Sequence, residues 1–326
     1  MFNNITAFDI GESQVKVVSL AGGFVKRAEV LELPDNVVSG GTIVSMDALA
    51  DFLREKKLGR GRAGVVLPDR LVFRRNVTVP PMTDAQLAYN LPFEFKDYLT
   101  QEKGRYYFDY ALQGLTKDAE GQVEGMELFA CATLKTTVED YRNMFRRAGF
   151  NMKLAIPEEC AFGNLAKHHA QQNQGQDGDL CIVDIGYRGT RMYIYRDGQF
   201  RTRRAVDLGI WDLVQQLSAE RGVDAHMAHT HLRSDYQQAQ NQEAAQELYN
   251  RMAVEIMKAV NFYNYNNREQ TLRGVYLCGG GAALEPLRRV IGQVTDLELR
   301  DIAQLLPGGE KIEEPWLFAK ALGCGL

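Results

Sequence analysis

The stretch that decides the fold is residues 7–18, AFDIGESQVKVV, because its opening pattern recurs in the second half of the chain. Residues 182–195 read IVDIGYRGTRMYIY, so an Asp-Ile-Gly turn between two apolar runs returns 175 residues later, from Asp9 to Asp184. Each copy then reaches a second glycine-containing turn and another strand-like run. Both halves therefore open with strand, tight turn, strand, turn and strand. This repeat predicts a duplicated pair of lobes and argues against two unrelated domains.

The composition is that of a soluble globular protein. The chain has 326 residues, of which 45% are hydrophobic and 25% charged, and its formal net charge is −4. At roughly 100 to 200 residues per domain, this length predicts two domains or one domain divided into lobes. A slightly acidic chain has no overall basic field for a phosphate backbone, so we expect no nucleic-acid partner. The N-terminal residues lack a secretory signal pattern and no apolar run approaches about 18 residues, which predicts a cytoplasmic protein without direct membrane insertion.

Neither the cysteines nor the histidines predict a metal site. The five cysteines are far apart in the sequence and form no Cys-x-x-Cys pair, so we expect buried free thiols. His226, His229 and His231 could bring two imidazoles together on one helix. Since no further ligand is suggested nearby, surface histidines are the favoured interpretation.

The region between the two repeats predicts a small α+β insert at residues 82–152. A helix is expected from Met82 to Tyr98 with Thr83 or Asp84 as its cap, and a second one at 137–148 that ends at Gly149. Alternating runs at 105–112 and 126–134 predict two strands, joined as a hairpin by the connector 116–125. The aromatic residues of the first run, Tyr106, Tyr107, Phe108 and Tyr110, are expected to pack the insert rather than to stack on bases.

The rest of the chain divides around this insert. The first lobe is predicted at 1–81 and is completed by 153–178 and 305–326. The second lobe is predicted at 179–304, after a linker-like stretch at 171–179, with a helical subdomain at about 206–270 that contains helices at 210–221 and 237–265. An apolar strand at 272–278 then enters Gly279-Gly280-Gly281 and a helix. In such a strand-to-helix connection, the glycines allow the backbone of the turn to approach a phosphate or a nucleoside closely.

The two Asp-Ile-Gly turns are the main candidates for chemistry. A tight turn exposes backbone N–H groups to phosphate, and an aspartate before it can hold hydrated magnesium. Taken singly, Asp-x-Gly is also an ordinary hairpin composition. Two such turns followed by a glycine-rich strand-to-helix turn form a far more specific order.

This order resembles the actin, sugar-kinase and heat-shock chaperone superfamily, with its α/β, ribonuclease H-like duplicated, two-lobe actin-like fold. Within it, the chain is most similar to the PilM-type type IV pilus assembly proteins, relatives of the division protein FtsA. The supporting strings are residues 8–18 (FDIGESQVKVV), 148–150 (AGF), 183–186 (VDIG), 206–209 (VDLG), 255–263 (EIMKAVNFY), 275–282 (VYLCGGGA) and 318–323 (FAKALG).

The resemblance implies a nucleotide site that binds ATP and Mg²⁺. Its first phosphate loop would be Asp9, Gly11, Ser13 and Lys16, its second Asp184, Gly186 and Thr190, and its adenosine loop Gly279, Gly280 and Gly281. Asp9 and Asp184 would hold magnesium through water. Glu158 would be the catalytic candidate that orients water, the alternative being a solvent-exposed cap of the next helix. The implied activity is at most that of a slow ATPase, or nucleotide binding without turnover.

Three departures from the family pattern bear on this site. Glu12 replaces a small hydroxyl residue, and at about 5 Å and an effective dielectric of about 20 it would repel a phosphate by roughly 3 kcal/mol, so it must turn away or weaken the site. Bulky Tyr187 and Arg188 occupy the second loop. The Glu-x-x-Lys element that flanks adenine in the family is replaced by residues 228–233, AHTHLR, with Arg233 as its only basic candidate.

The implied function is a cytoplasmic scaffold of a type IV pilus or related secretion system. It would bind the cytoplasmic N-terminal tail of a PilN-type inner-membrane protein in a groove between the first lobe and the insert. Through this partner, and through other pilus inner-membrane or motor components, it would be recruited to the inner face of the membrane. Three alternatives stay open: an FtsA-like division protein, expected to carry a basic amphipathic anchor helix; a small-molecule kinase of the same fold; and a degenerate member that binds partners without nucleotide.

Overall fold

The computed structural model describes residues 4–34, 37–172, 178–268 and 272–326. Residues 173–177 of the expected linker lie outside the described residues. The strands are, in chain order, β1 (Asn4–Ile10), β2 (Gln14–Ala21), β3 (Phe24–Glu32), β4 (Val38–Ser39), β5 (Thr42–Ile43), β6 (Gly61–Leu67), β7 (Phe73–Val79), β8 (Tyr106–Lys117), β9 (Val123–Leu134), β10 (Phe150–Pro157), β11 (Asp179–Ile185), β12 (Thr190–Arg196), β13 (Gln199–Val206), β14 (Gly274–Cys278) and β15 (Glu298–Arg300). The α-helices are α1 (Met46–Glu55), α2 (Asp84–Glu94), α3 (Lys135–Arg147), α4 (Glu158–Gln172), α5 (Ile210–Arg221), α6 (Ala225–Arg233), α7 (Glu243–Asn266), α8 (Glu285–Thr295) and α9 (Ala319–Gly325).

Two five-stranded sheets repeat the same topology, as the sequence repeat predicts. Their strand orders are β10-β6-β1-β2-β3 and β13-β12-β11-β14-β15. In each sheet the first strand pairs antiparallel with the next one and parallel with a later strand. The register aligns Asp9 with Lys16 and Asp184 with Arg191, so both turns end their strands in the same way. The duplicated, two-lobe actin-like fold is confirmed.

The hydrophobic cores lie on both faces of each sheet. Helices α1 and α3 cover one face of the first sheet, where Phe8, Leu53 and Phe145 are fully or almost fully buried. Helices α4 and α9 lie between the sheets and pack against Val18 on one side and Tyr193 on the other. The helices α5 to α8 cover the outer face of the second sheet. Because α9 lies between the two sheets, its side chains can contact residues of both lobes.

The insert is a three-stranded sheet of order β7-β9-β8, covered by α2. Strand β7 therefore groups residues 73–79 with the insert, whereas the sequence analysis placed them in the first lobe. Helix α3 packs with α1 in the first-lobe core, whereas the sequence analysis placed it in the insert. The division of the chain into domains otherwise stays a prediction.

Several element boundaries differ from the expected ones. Helix α2 ends at Glu94 with Pro92 inside it, shorter than the expected 82–98. The strands β8 and β9 are longer than expected and leave a connection of only 118–122. Helix α7 begins at Glu243 instead of the expected residue 237, because residues 236–241 form a 3-10 turn. Helix α6 contains His226, His229 and His231, the three histidines considered as metal ligands. The five cysteines are free thiols, as expected, and three of them are buried, whereas Cys131 and Cys160 are only partly buried.

Candidate functional site

The two Asp-Ile-Gly turns face each other across one cleft. The backbone N–H of Gly11 donates to the carbonyl of Gln14 at 2.9 Å, and that of Gly186 donates to the carbonyl of Gly189 at 3.0 Å. Each turn is thus closed by a hydrogen bond from its own glycine. The residues that follow these glycines, Glu12 and Ser13 in the first turn and Tyr187 in the second, line the cleft. The cleft has a volume of about 260 Å³. This is slightly below the roughly 300 to 1,000 Å³ of typical ligand pockets.

Most of the predicted site residues line this cleft. They are Asp9, Gly11, Ser13, Lys16, Asp184, Gly186, Gly279 and Gly280. Three lie outside the lining, namely Glu158, Thr190 and Gly281. The hydroxyl of buried Thr190 donates to the carbonyl of Leu208 at 2.9 Å, and Gly281 is buried. This hydrogen bond connects the segment after β13 to the strand that follows the second turn. The predicted contact of Thr190 with a nucleotide stays a prediction.

Close packing requires two of the three glycines that follow β14. Gly279 has φ +85°, a conformation that favours glycine, and a Cβ there would overlap Asp184. A Cβ on Gly281 would lie 2.9 Å from Cβ of Ile185. At Gly280 a Cβ would meet no atom within 4 Å. Two of the three glycines are thus explained by packing, and Gly280 alone faces open space.

Lys320 is a cleft residue that the sequence analysis did not single out. Its ammonium lies 3.1 Å from Asp184 Oδ2, 3.5 Å from Glu158 Oε1 and 3.8 Å from Asp9 Oδ1. Burial would lower the pKa of Lys320, but the three carboxylates outweigh it and raise this pKa well above the ordinary value. Burial also lowers the pKa of neighbouring Lys16, against the opposing effect of Asp9. The signal in the sequence was a single charge in the apolar helix Ala319–Gly325, a position where lysine is rarely buried without partners.

Glu158 is buried at the first turn of α4, with 6% of its surface exposed. The alternative of a solvent-exposed helix cap is therefore wrong. Its Oε2 accepts a hydrogen bond from the hydroxyl of Tyr193 at 2.6 Å, and its Oε1 faces Lys320. Arg191 Nε lies 4.0 Å from Oε2. Both oxygens are held by the protein itself, and a role in orienting water stays a prediction.

Two departures from the family pattern, Glu12 and Arg188, are each other's partner. Nε of Arg188 donates to Glu12 Oε2 at 2.8 Å, and a second guanidinium nitrogen contacts Oε1. The same carboxylate accepts the backbone N–H groups of Gly41 at 2.9 Å and Gly40 at 3.2 Å. Arg188 also lies over the ring of Trp211, with 4.2 Å between its Cζ and the ring centroid. Glu12 is turned toward the second lobe, which links the two loops by a bidentate ion pair.

Helix α6 forms the side of the cleft where the family pattern has a Glu-x-x-Lys element. Arg233 pairs with Glu32 of the first lobe at 2.7 Å, and Glu32 also accepts from Gln14 at 2.8 Å. Burial would raise the pKa of Glu32, but Arg233 lowers it. The imidazole of His229 lies edge-on to the Tyr187 ring at 5.4 Å, and burial lowers its pKa.

The fit of these residues to nucleotide and metal is mixed. The turns and the glycine run are shaped for close approach of a phosphate and a nucleoside, and among the described residues Asp184 Oδ1 is buried without a hydrogen-bond partner. Within the same residues, no group of three or more His, Cys, Asp or Glu side chains could hold a metal ion. Asp9 and Asp184 already share the Lys320 cation. The lysine thus occupies the position between the two carboxylates that a free divalent ion would take.

A second cavity, of about 440 Å³, lies between the insert and the first lobe. It is called the insert groove here, and it is lined by 67, 72, 107–111, 129, 131–133, 138, 142, 152–157 and 160. In the sheets that the described residues form, both of its long sides are edge strands, β8 and β10. Tyr107 is 41% exposed, whereas Tyr106, Phe108 and Tyr110 pack inside the insert. Burial raises the pKa of the Cys160 thiol in the groove wall to about 12, which disfavours its thiolate form.

A network of mostly partly buried charges connects the second lobe with strand β7 of the insert. Asp69 pairs with Arg74 of β7, Arg191 of β12 and Arg203 of β13. Fully buried Glu159 lies 3.0 Å from Arg74. Burial would raise the pKa of Asp69, but the arginines lower it, whereas burial keeps the pKa of Glu159 raised. The two lobes and the insert meet at these side chains.

Comparison with known proteins identifies a matching family and several structures of similar fold. The sequence profile of the family described as type IV pilus assembly protein PilM matches residues 7–308. No curated protein sequence matches. A solved structure titled PilM-PilN type IV pilus biogenesis complex is similar with a TM-score of 0.79 and 19% identity, over 98% of this chain and 97% of that chain.

Two further structures support the same fold. The ethanolamine utilization protein EutJ from Carboxydothermus hydrogenoformans has a TM-score of 0.61 and 15% identity, over 98% of this chain and 88% of that one. Ta0583, an archaeal actin homolog, has a TM-score of 0.51 and 15% identity, over 98% and 97%. No helix in the described part of the chain is long and apolar enough to cross a membrane.

Proposed function

The chain belongs to the type IV pilus assembly protein PilM family, and from this premise we propose that it is a scaffold that binds the cytoplasmic tail of a PilN-type membrane protein. The observation that carries the proposal is the insert groove. Its two edge strands present unpaired backbone groups, so an extended peptide can add to either sheet. A relative of the same fold is named as a complex with PilN, which supports this class of partner.

The lining of the groove defines the peptide that fits it. Apolar contact comes from Tyr107, Phe129 and Leu154, whereas Asp109 stands on one side and Arg142 and Lys153 on the other. A peptide with alternating apolar side chains and both signs of charge is expected to match this pattern. The proposed localisation is the cytoplasmic face of the membrane, reached through this partner.

The cleft would bind ATP together with Mg²⁺. Asp9, Ser13 and Lys16 would face the phosphates from the first lobe, Asp184 and Gly186 from the second, and Gly279 and Gly280 the nucleoside. Magnesium would supply charge neutralisation of the phosphates and would approach Asp9 and Asp184 through water. The ammonium of Lys320 already neutralises those carboxylates, so we expect weak metal binding.

Closure of the lobes would set the shape of the groove. The charge network of Asp69, Arg74, Arg191 and Arg203 touches both lobes and the insert, which supports coupling between cleft and groove. A ligand shifts such an equilibrium only by its different affinity for the two states.

Isothermal titration with a PilN-type tail peptide tests the proposal. We expect saturable binding by the folded protein, tighter in the presence of Mg·ATP if closure shapes the groove. Absence of binding with and without Mg·ATP would overturn the scaffold function. Turnover of ATP in a screen of small alcohols would favour the kinase alternative instead.

A further inference from the structure

Two short segments of the first lobe concentrate its positive charge. Residues 54–62 and 142–153 contain nine Lys or Arg residues and a single acidic residue, Glu55, in a chain with 38 basic and 42 acidic residues. The nine are Arg54, Lys56, Lys57, Arg60, Arg62, Arg142, Arg146, Arg147 and Lys153, and all are exposed. Against the overall charge of −4, these segments carry +8 and the rest of the chain therefore −12.

The fold brings these segments to one edge of the first lobe. Helices α1 and α3 pack together and both end there, and the strands β6 and β10 begin there as a parallel pair with Gly61 opposite Phe150. A Cβ on Gly149 would lie 3.8 Å from Cγ of Arg60, which places the two connections in contact. We call this surface, formed by the nine residues, the basic edge.

Local ion pairs neutralise only part of the basic edge. Arg54 pairs with Asp51 at 3.0 Å, and Arg147 contacts Asp47 and Asp51. Nine basic side chains against Asp47, Asp51 and Glu55, and against Glu139 and Asp140 just before Arg142 on α3, leave an excess of four positive charges. Basic residues at helix C-termini also stabilise the helix dipole, which accounts for one or two of them in each last turn. It does not account for those in the connections and strands beyond the helices, such as Arg60, Arg62 and Lys153.

The basic edge lies away from the cleft and next to the insert groove. Strand β1 runs parallel to β6, so Asp9 is at the carboxyl ends of these strands and the basic edge is at their amino ends. Arg142 and Lys153 belong both to the basic edge and to the lining of the groove. A partner on the basic edge would leave the cleft open and would meet a peptide in the groove.

We propose that the basic edge docks on an anionic lipid surface. A bilayer surface would meet one edge of the molecule, where an excess of four positive charges would attract anionic lipid headgroups over a Debye length of about 10 Å. A long polyanion such as duplex DNA would instead also meet the strongly negative remainder of the chain. The proposal rests on the proposed function in one respect, since the partner tail in the adjacent groove would come from a membrane protein.

Flotation with lipid vesicles tests this inference. Vesicles of equal parts phosphatidylglycerol and phosphatidylcholine are expected to bind the protein at low salt, and pure phosphatidylcholine vesicles are not. High salt is expected to release it. Each basic residue near an anionic surface changes partitioning about fivefold, so the double variant Arg60→Gln/Arg146→Gln is expected to bind roughly 30-fold more weakly.

A matched control uses two exposed lysines elsewhere. Lys26→Gln/Lys311→Gln makes the same change in charge away from the basic edge and is expected to bind as the wild type does. Arg60→Lys/Arg146→Lys keeps the charge and is expected to retain binding, which separates lost charge from lost packing. Absence of binding to the anionic vesicles, an equal loss in the control, or tighter binding to duplex DNA at the same salt would each overturn the proposal.

A separate readout distinguishes this proposal from the proposed function. Arg60 and Arg146 do not line the insert groove, so the Gln variant is expected to bind the tail peptide with wild-type affinity in solution. If the wild type binds the vesicles but not the tail peptide, the scaffold function is overturned and the proposal for the basic edge stands.

Discussion

Glu12 and Arg188 form a bidentate ion pair that joins the first Asp-Ile-Gly turn to the second. Two further ion pairs cross the same cleft, from Glu32 to Arg233 and from Lys320 to Asp184. The lobes are therefore held together by the chain's own charges. A nucleotide would have to fit among these pairs or replace one of them.

Replacing Glu12 by serine is expected to tighten binding of Mg·ATP. The substitution removes a carboxylate beside the phosphate site, whose repulsion at about 5 Å and an effective dielectric of about 20 has an upper bound of roughly 3 kcal/mol. It also frees Arg188 to face the phosphates. Titration calorimetry of wild type, Glu12→Ser and the exposed control Glu55→Ser measures the change. Unchanged or weaker binding by Glu12→Ser alone would mean that the carboxylate does not oppose the nucleotide.

Replacing Lys320 by methionine is expected to destabilise the protein by about 3 kcal/mol, because three carboxylates lose their shared cation. Since the pKa of Lys320 is raised on folding, its contribution is present at neutral pH and is lost only as pH rises through that raised pKa. Added Mg²⁺ is expected to raise the thermal midpoint of the variant more than that of the wild type. An equal effect of Mg²⁺ on both proteins would show that Asp9 and Asp184 do not attract the ion.

Gly280 and Gly281 are expected to respond differently to alanine. Gly281→Ala would press on Ile185 and cost about 1 to 3 kcal/mol in the free energy of unfolding. Gly280→Ala meets open space and is expected to leave stability unchanged while weakening any nucleotide whose sugar or base lies there. Denaturant unfolding and nucleotide titration of both variants provide the comparison. Equal stability losses would contradict the packing described at Gly281.

Glu159 and Asp69 are expected to show opposite pH dependences. The raised pKa of Glu159 means that its favourable contribution is present at low pH and is lost as pH rises, so Glu159→Gln should gain relative stability between about pH 4 and pH 7. The lowered pKa of Asp69 means that its contribution is present at neutral pH and is lost as pH falls, so Asp69→Asn should be most harmful near pH 7. Unfolding free energies at both pH values measure this. Parallel trends would contradict the opposite shifts.

The sequence predicted the duplicated sheets and most of the cleft lining because both depend on local patterns. An apolar run ending in Asp-Ile-Gly specifies a strand and its turn without reference to distant residues. The partners of Glu12 and of Lys320 could not be predicted in this way, since they lie 176 and 136 residues away at Arg188 and Asp184. Such pairs depend on how the lobes pack.

The sequence boundaries of the insert could not be predicted fully for a similar reason. The apolar pattern of Phe73–Val79 indicates a strand but not which sheet it joins, and its pairing with β9 is long-range. Helix α3 has the amphipathic pattern of any surface helix, and only its packing against α1 assigns it to the first-lobe core. The role of Tyr107 in the groove likewise depends on the position of β10.

The most direct test of the central claim compares the affinity of a PilN-type tail peptide for wild type, Tyr107→Ala and Tyr89→Ala. Tyr107 lines the insert groove, whereas Tyr89 is 72% exposed on α2 outside that lining, so the two variants make the same change at different surfaces. Fluorescence anisotropy with a labelled peptide is expected to show about tenfold or greater weakening for Tyr107→Ala, as for an aromatic anchor worth at least about 1.4 kcal/mol, and wild-type affinity for Tyr89→Ala. Equal affinities of all three proteins, or a loss confined to Tyr89→Ala, would contradict the assignment of the groove.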